Sequence, residues 1–270
     1  MSRFLQSMGQ SSQLRVGAAR AARPLESVIE AALATPPPRE VGRFGEVFDL
    51  IAEIKPRSPA EGELADSRLV ERAFAYQAGG ARMLSVLTEP EAFGGSLDLL
   101  EAVAARAQVP VLRKDFLVDP YQVFEARSAG ADGVLIIARL LSDETMAAML
   151  RAVERTGMFA LLEAFDAEDL RRIMQMTEGP GQRLVGVNCR NLETLRIEPA
   201  IHTELAASLP ATLASVAESG LLGPTDIHRV AGLGYRGALV GSALMRSSQP
   251  SDMVEAMLVA GREMAKMAAT

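Results

Sequence analysis

Charged and polar side chains close a series of short apolar segments along this chain of 270 residues. In the clearest segment, residues 49–55, Glu53 and Lys55 point to the same side of an extended strand, because side chains alternate along a strand with a period of two. Other apolar segments end in further reactive or polar residues: Lys114, Glu163, Asn188, Glu218 with Ser219, and Gly241 with Ser242. Ammonium and carboxylate groups that meet at one site can transfer protons and hold an anionic substrate.

Lys114 is the candidate general acid. It closes an apolar segment and is predicted to point toward Glu53 and Glu163. The charge of Lys55 would lower the pKa of Lys114 and the carboxylates would raise it, so the sequence leaves the balance open. The alternative is that Lys114, Glu53 and Glu163 form a purely structural ion-pair network.

Glu163 and Asn188 each interrupt an otherwise apolar segment, where a polar side chain needs a partner or a function. Asn188 could orient a substrate hydroxyl, and Arg190 would add a charged donor on the same side. A hydrogen-bonded structural asparagine is the alternative. Cys189 then faces away from the site, and we interpret it as a packed small residue rather than a nucleophile.

Small residues in the last third of the chain predict a phosphate site. Ser219 and Gly220 precede a predicted helix start at Pro224, and Gly241 and Ser242 precede another short helix. Exposed N–H groups at helix starts attract anions, and small residues let the backbone approach a phosphate closely. Either glycine alone would more simply permit a tight turn, but their joint position favours phosphate binding.

The loop that follows Lys55, residues 56–62, is a candidate lid because it is rich in Pro and Gly. Its Ser58 could place a hydroxyl over a bound anion. We expect the side chains of Arg57 and Glu61 to be ordinary solvated turn residues.

Eight apolar segments predict strands near residues 50–54, 83–87, 109–112, 133–137, 159–162, 184–187, 212–217 and 238–240, with amphipathic helical segments between them. Buried strands separated by helices pair in parallel with right-handed crossovers. An open doubly wound sheet is the alternative, but it has fewer strands and one ligand-binding switch point. Because polar groups end six of the segments, we predict a closed (β/α)8 barrel.

Residues 1–47 differ in composition from the rest of the chain. They contain a Gln/Ser-rich start, an Ala/Arg stretch at 17–23, a weakly amphipathic segment at 25–33 and three consecutive prolines at 36–38, which stop a helix. We predict an N-terminal helical extension, residues 1–47, that packs on one end of a catalytic barrel formed by residues 48–270.

The composition of the chain limits the kinds of molecule that the protein is expected to bind. A formal net charge of −6 and a pI near 5.2 argue against nucleic acid, and the one cysteine excludes an internal disulfide. With no secretion signal and no long apolar segment, we expect a cytoplasmic protein that does not enter a membrane. His202 and His228 lie in helical segments without metal-ligand spacing, so surface or capping roles and no metal site are predicted.

Several blocks together resemble the indole-3-glycerol phosphate synthase family over residues 49–246. They are residues 51–55 with Ser58 and Pro59, and residues 84–88, 93–96, 111–116, 119–122, 186–192, 217–220 and 240–245. The resemblance implies a barrel that converts 1-(2-carboxyphenylamino)-1-deoxyribulose 5-phosphate into indole-3-glycerol phosphate, carbon dioxide and water, in tryptophan biosynthesis and without metal or organic cofactor.

The resemblance also implies roles for residues. Lys114 would protonate the ribulose carbonyl, Lys55 would hold the carboxylate and deliver a proton in the dehydration, and Glu163 would act as acid or base later. Glu53 and Asn188 would position the substrate hydroxyls and the lysines, and Glu218 would support the charge network. The phosphate would be bound by Ser58, Gly220, Gly241 and Ser242, with Arg190 and Ser219 beside it. The apolar walls of the site would be Phe116, Leu135 and Leu192.

Three departures from the family pattern accompany this resemblance. Ala60 replaces a serine, Ala164 and Phe165 replace a Val-His pair, and a different N-terminal arm leaves the cover over the aromatic end unassigned. We expect a phosphorylated small-molecule substrate and a monomer or weak homodimer. The alternatives are a paralogue for a modified anthranilate-derived substrate of secondary metabolism, and a non-catalytic barrel subunit, which predicts lost acid/base groups although none is lost.

Overall fold

Eight parallel strands form a closed barrel in the computed structural model of the chain, which describes residues 2–60, 62–64, 68–176 and 181–268. They are β1 (Asp49–Ile54), β2 (Met83–Leu87), β3 (Val111–Lys114), β4 (Gly133–Ile137), β5 (Phe159–Ala164), β6 (Arg183–Asn188), β7 (Ala214–Glu218) and β8 (Gly237–Val240). Strand β8 closes the barrel by pairing with β1. The predicted (β/α)8 barrel with an N-terminal helical extension is confirmed.

The strands are buried on both faces, which explains why they are nearly continuous apolar segments rather than alternating ones. One apolar layer fills the space between strands and helices, and a second fills the barrel interior. Strand β3 begins two residues later than predicted, because Pro110 has no N–H to donate to a neighbouring strand. Lys114 is therefore the last residue of β3.

Several helices begin at a side chain that caps the first turn. Asp119 forms a capping box at the start of one helix, and Ser142 and Asp166 cap two others through their side chains. The described helices are α1 (Arg3–Ala22), α2 (Leu25–Ala34), α3 (Leu69–Ala78), α4 (Leu97–Ala104), α5 (Pro120–Ser128), α6 (Asp143–Thr156), α7 (Ala167–Gln175), α8 (Ala200–Ala206), α9 (Pro224–Gly232), α10 (Ser242–Arg246) and α11 (Pro250–Ala268). None of these described helices is long and apolar enough to cross a membrane.

Helix α1 lies over the end of the barrel where the strands finish. The sequence predicted a helical extension but not which face of this helix is buried, because the buried stripe mixes Leu5, Met8 and Val16 with serines and a glycine. Leu5 and Met8 join the apolar layer of the barrel interior, so burial of this face holds the helix in place.

The segment that follows the prolines closes the opposite end of the barrel. Val41 and Phe44 belong to the interior apolar layer, and the N–H of Gly45 donates to Asp49 at the start of β1. Helix α2 packs against α5 between the two ends. The expectation that residues 1–47 cover one end is therefore wrong, because this stretch contacts both ends.

The expectation that His202 has a surface or capping role is also wrong, because this residue is fully buried. Its Nε2 lies 3.1 Å from the carbonyl oxygen of Glu218, and its ring packs edge-on against Tyr235. His228 is exposed, as predicted. Burial, together with the nearby Arg229 guanidinium, lowers the pKa of His202 to about 4.

We predict that His202 makes the protein less stable in mild acid. Between about pH 6.5 and pH 4 the unfolded chain binds a proton at this histidine and the folded chain does not, so the free energy of unfolding falls as the pH falls. The expected contribution is roughly 3 kcal/mol across that window. It is measured by urea unfolding of the wild type and His202→Gln at several pH values.

The matched control is His228→Gln, which should retain the wild-type dependence on pH because this side chain is exposed. If His202→Gln loses stability between pH 6.5 and pH 4 as steeply as the wild type, then the buried histidine does not cause the effect.

Candidate active site

A pocket opens at the C-terminal ends of the barrel strands, under helix α1. Every residue proposed for the site from the sequence lines it: Glu53, Lys55, Ser58, Lys114, Phe116, Leu135, Glu163, Asn188, Arg190, Leu192, Glu218, Ser219, Gly220, Gly241 and Ser242. These residues are scattered over almost two hundred positions. The closed barrel brings them together because all eight strands end at the same rim.

Lys114 is at the centre of this pocket, with its Nζ 3.7 Å from a carboxylate oxygen of each of Glu53, Glu163 and Glu218. The four residues come from β1, β3, β5 and β7, which are the odd-numbered strands of the barrel. In such barrels the side chains of alternate strands form one layer of the interior. The charged cluster is therefore a single layer of the barrel in which polar groups replace the usual apolar ones.

The sequence left open whether the pKa of Lys114 is raised or lowered, and this geometry gives the direction. Burial alone would lower the pKa of Lys114, but the charges of Glu163, Glu53 and Glu218 outweigh burial and raise it, against a small opposing effect of Arg190. The ammonium therefore keeps its proton at neutral pH. Burial and the charge of Glu163 raise the pKa of Glu218 well above its usual range.

Two glycines leave room for the carboxylates. A Cβ atom on Gly186 of β6 would collide with Oε1 of Glu218, and a Cβ atom on Gly241 would collide with Oε1 of Glu53. Gly241 was proposed as a phosphate-loop residue, and this contact shows a second reason why a side chain cannot stand there. Gly186 had no such signal in the sequence.

Lys55 lies beside the central cluster and also contacts the small-residue loops. Its Nζ is 3.1 Å from Oγ of Ser242 and 3.3 Å from Oε1 of Glu53. The side chain is buried and lines the pocket. It stands between the carboxylates and the region proposed for phosphate.

The loop after β7 has an unusual backbone. Ser219 and Gly220 both have positive φ angles, 68° and 66°, and a non-glycine residue in this region is uncommon. A Cβ atom on Gly220 would also clash with Ile197. Both residues line the pocket, and Gly220, which has no side chain, lets a ligand approach the backbone closely.

Asn188 and Arg190 are fixed by their own loop. The Oδ1 of Asn188 accepts the N–H of Arg190 at 3.0 Å, and the Arg190 guanidinium donates to the carbonyl of Leu195 at 2.8 Å. Asn188 thus has the hydrogen-bond partner expected of a structural asparagine, and it also lines the pocket. Cys189 is buried outside the pocket, and burial raises its pKa to about 11, so it is no nucleophile.

The apolar wall of the pocket is larger than expected from the sequence. Phe116, Leu135 and Leu192 are joined by Phe4 of α1, whose ring packs edge-on against Phe116 at 6.0 Å between centroids. Phe93 also packs against Phe116, with 6.1 Å between the ring centroids. Phe4 lies 45 positions before the start of β1, and no local pattern links it to the end of a strand, so it could not be found from the sequence.

The three departures from the family pattern have structural counterparts. Ala60 lines the pocket near the lid loop. Phe165 also lines it, and the Arg139 guanidinium lies 4.6 Å above the Phe165 ring. Helix α1 provides the cover over the apolar end.

The lid loop differs in part from what the sequence led us to expect. Arg57 is not an ordinary solvated turn residue, because its guanidinium donates to the carbonyl of Glu91. Glu61 is outside the described residues.

One signal in the composition points to this site. The chain has 28 basic residues, and counting along the sequence gives only three lysines among them: Lys55, Lys114 and Lys266. Arginine cannot give up a proton in proteins, whereas lysine can. Two of the three lysines lie in the pocket, where a removable proton would be useful.

Comparisons with known proteins agree with this geometry. A family model described as indole-3-glycerol phosphate synthase matches residues 5–257. A protein of that name from Saccharopolyspora erythraea is 43% identical over 241 residues, which is 88% of each chain. Another from Mycolicibacterium smegmatis is 41% identical over 254 residues, covering 91% of this chain and 90% of the relative.

Solved structures with little sequence similarity share the fold alone. The 3-hexulose-6-phosphate synthase from Salmonella typhimurium has a TM-score of 0.63 at 14% identity, covering 82% of this chain and all of the other. The match of the family model over most of the chain, with relatives above 40% identity, is decisive. The chain belongs to the indole-3-glycerol phosphate synthase family.

Proposed function

We propose that this protein closes 1-(2-carboxyphenylamino)-1-deoxyribulose 5-phosphate to indole-3-glycerol phosphate, with release of carbon dioxide and water. Membership of the family supports the reaction, and one observation carries it. A charged lysine, Lys114, lies among three buried carboxylates at the point where an apolar wall meets a group of small phosphate-binding residues. The substrate has an aromatic ring, a reacting carbonyl and a phosphate in the same order.

Ring closure is the step that needs Lys114. The ring carbon that bears the carboxylate attacks the ribulose carbonyl carbon, and the electron pair of the C=O bond moves onto oxygen. Lys114 would give that oxygen its proton. The raised pKa of Lys114 ensures that the proton is present beforehand, and the alkoxide that forms is basic enough to take it. Glu53 would orient the ammonium group.

Decarboxylation follows when the bond between the ring and the carboxylate breaks and its electron pair restores the aromatic ring. Lys55 would hold this carboxylate until it leaves. Its position 3.1 Å from Ser242 and 3.3 Å from Glu53 keeps its ammonium group inside the pocket. A pocket that grips both the carboxylate and the phosphate would bend the substrate toward closure.

Dehydration removes the new hydroxyl group and a proton from C1 of the sugar. Glu163 would take the C1 proton and can return it to Lys114, 3.7 Å away, while Lys55 would protonate the leaving hydroxyl. The second proton in the released water comes from solvent, because the carboxylate leaves as carbon dioxide. Glu218, 3.7 Å from the Lys114 ammonium group, would support the charge network around it.

The remaining pocket residues would bind rather than react. Phosphate would lie on the hydroxyl groups and N–H groups of Ser58, Gly220, Gly241 and Ser242, near Arg190 and Ser219. Asn188 would orient a substrate hydroxyl. The aromatic ring would pack between Phe116, Leu135, Leu192 and the additional rings of Phe4 and Phe93.

We also propose that residues 48–270 form the catalytic barrel and residues 1–47 an extension that completes it. The apolar contacts of α1 and of residues 41–46 support this division. We further propose a cytoplasmic enzyme that works as a monomer or weak homodimer. The single cysteine, which is buried, and the closure of the pocket by residues of its own chain support this.

The reaction is tested by mixing the purified protein with the carboxyphenylamino-deoxyribulose phosphate and following indole fluorescence. We expect turnover by the wild type and a fall in kcat of roughly 10²- to 10⁴-fold in Lys114→Ala, the range for loss of a general acid. Lys266→Ala, on the exposed side of α11, should keep wild-type activity. A wild-type signal no greater than that of Lys114→Ala would reject the proposed reaction.

A second prediction concerns the space that Gly186 leaves for Glu218. Gly186→Ala should push the Glu218 carboxylate away from Lys114 and lower kcat by about 10-fold or more, since small displacements in an active site are costly. Gly17→Ala is the control, because a Cβ atom at Gly17 meets no other atom within 4 Å. Equal kcat values in the two variants would show that the position of Glu218 does not matter.

A further inference from the structure

Helix α1 is bonded to the segment that directly follows Lys114. The guanidinium of Arg15 donates two hydrogen bonds to Asp115, from Nη1 to Oδ2 at 2.9 Å and from Nη2 to Oδ1 at 2.8 Å. Farther along, the Gln122 amide donates to the hydroxyl of Ser12 at 3.0 Å. The extension is therefore joined to the turn after β3 by polar contacts as well as by apolar packing.

Asp115 is the point where these contacts converge. Its side chain is completely buried and also accepts hydrogen bonds from Thr88 Oγ1 at 2.8 Å, from Arg113 at 3.3 Å and from the N–H of Phe116 at 2.8 Å. Burial raises its pKa, but the Arg15 hydrogen bond and the charges of Arg113 and Arg15 outweigh burial and lower it. The carboxylate is thus charged and fixed.

The position of Asp115 in the sequence gives this arrangement its importance. Its neighbours on either side are Lys114, which lies among the three carboxylates, and Phe116, which forms the apolar wall. The Lys114 ammonium lies 3.7 Å from each carboxylate, so no single short bond holds it in place. Its position depends on the backbone that carries it.

We propose that Arg15 is a positioning residue for the reaction: through Asp115 it holds the turn that places Lys114 against the substrate carbonyl and Phe116 against the aromatic ring. This inference rests on the proposed function. The planar fork of arginine suits the role because two parallel bonds fix the orientation of a carboxylate, which one ammonium group does not. Helix α1 thereby acts on the reacting end of the pocket as well as covering it.

A purely structural role for Arg15 leads to a different expectation. Helix α1 has its own apolar anchors, Leu5 and Met8, and Asp115 keeps Thr88, Arg113 and the Phe116 N–H when Arg15 is removed. If Arg15 only fastened the helix, its loss would lower the thermal midpoint and leave the kcat of the folded enzyme unchanged. If Arg15 positions Lys114, kcat falls while KM changes little.

The test compares Arg15→Met with Arg20→Met in the full-length protein. Arg20 is the matched control because it lies on the same helix and pairs with Asp119 of the same segment at 2.7 Å, but that pair is exposed and distant from Lys114. For Arg15→Met we expect kcat to fall by about 10-fold or more and KM to change less than about 3-fold. Arg20→Met should stay within about 2-fold of the wild type in both.

Two further variants each change one of the groups that hydrogen-bond to Asp115 and keep the others. Thr88→Val removes a hydrogen bond to Asp115 from the barrel side and should also lower kcat more than it changes KM. Arg15→Lys, which keeps the charge, should recover part of the loss. If Arg15→Met does not fold, these two variants decide the question by the same split between kcat and KM.

Wild-type kcat in folded Arg15→Met, or an equal loss in Arg20→Met, would overturn the inference, and so would wild-type kcat in both Thr88→Val and Arg15→Lys. Failure of the proposed function is distinguishable, because the wild type itself would then produce no indole fluorescence in the same assay.

Discussion

The structure depends on one electrostatic arrangement, the ammonium group of Lys114 enclosed by three buried carboxylates. Neither the ammonium group nor the carboxylates could be buried without the other, because an unpaired buried charge costs several kcal/mol. Such a cluster adds little to stability compared with an apolar layer of the same volume. Its value lies in chemistry, since the carboxylates raise the pKa of the lysine in a place where burial alone would lower it.

The barrel makes this arrangement possible. Glu53, Lys114, Glu163 and Glu218 come from four alternate strands and occupy one level of the interior. Glycines at positions 186 and 241 supply the space that the carboxylates need. The levels below are filled by apolar side chains, so the cost of one charged layer is offset by the rest of the core. Residues 1–47 complete both ends of the same barrel.

Much of this could be predicted from the sequence, because it depends on local patterns. The strands are short apolar segments, and each active residue directly follows or ends one, so closure of the barrel was enough to place them together. Other features depend on contacts between distant parts of the chain. Phe4 reaches the pocket only because α1 docks over it. His202 is buried only because α8 packs against β6 and brings its ring to the carbonyl of Glu218 in β7. The pKa balance at Lys114 needed distances that no spacing in the sequence provides.

The central claim is that Lys114 stays protonated because three carboxylates surround it, and nitrogen NMR of the lysine side chains tests this directly. The chain has three lysines, so the signals can be assigned with single Lys→Arg variants. As the pH is raised, Lys114 should keep its proton above about pH 10.4, where a lysine side chain in water loses its own. If Lys114 loses its proton at a lower pH than a lysine side chain in water, burial outweighs the carboxylates and the account of the site is wrong.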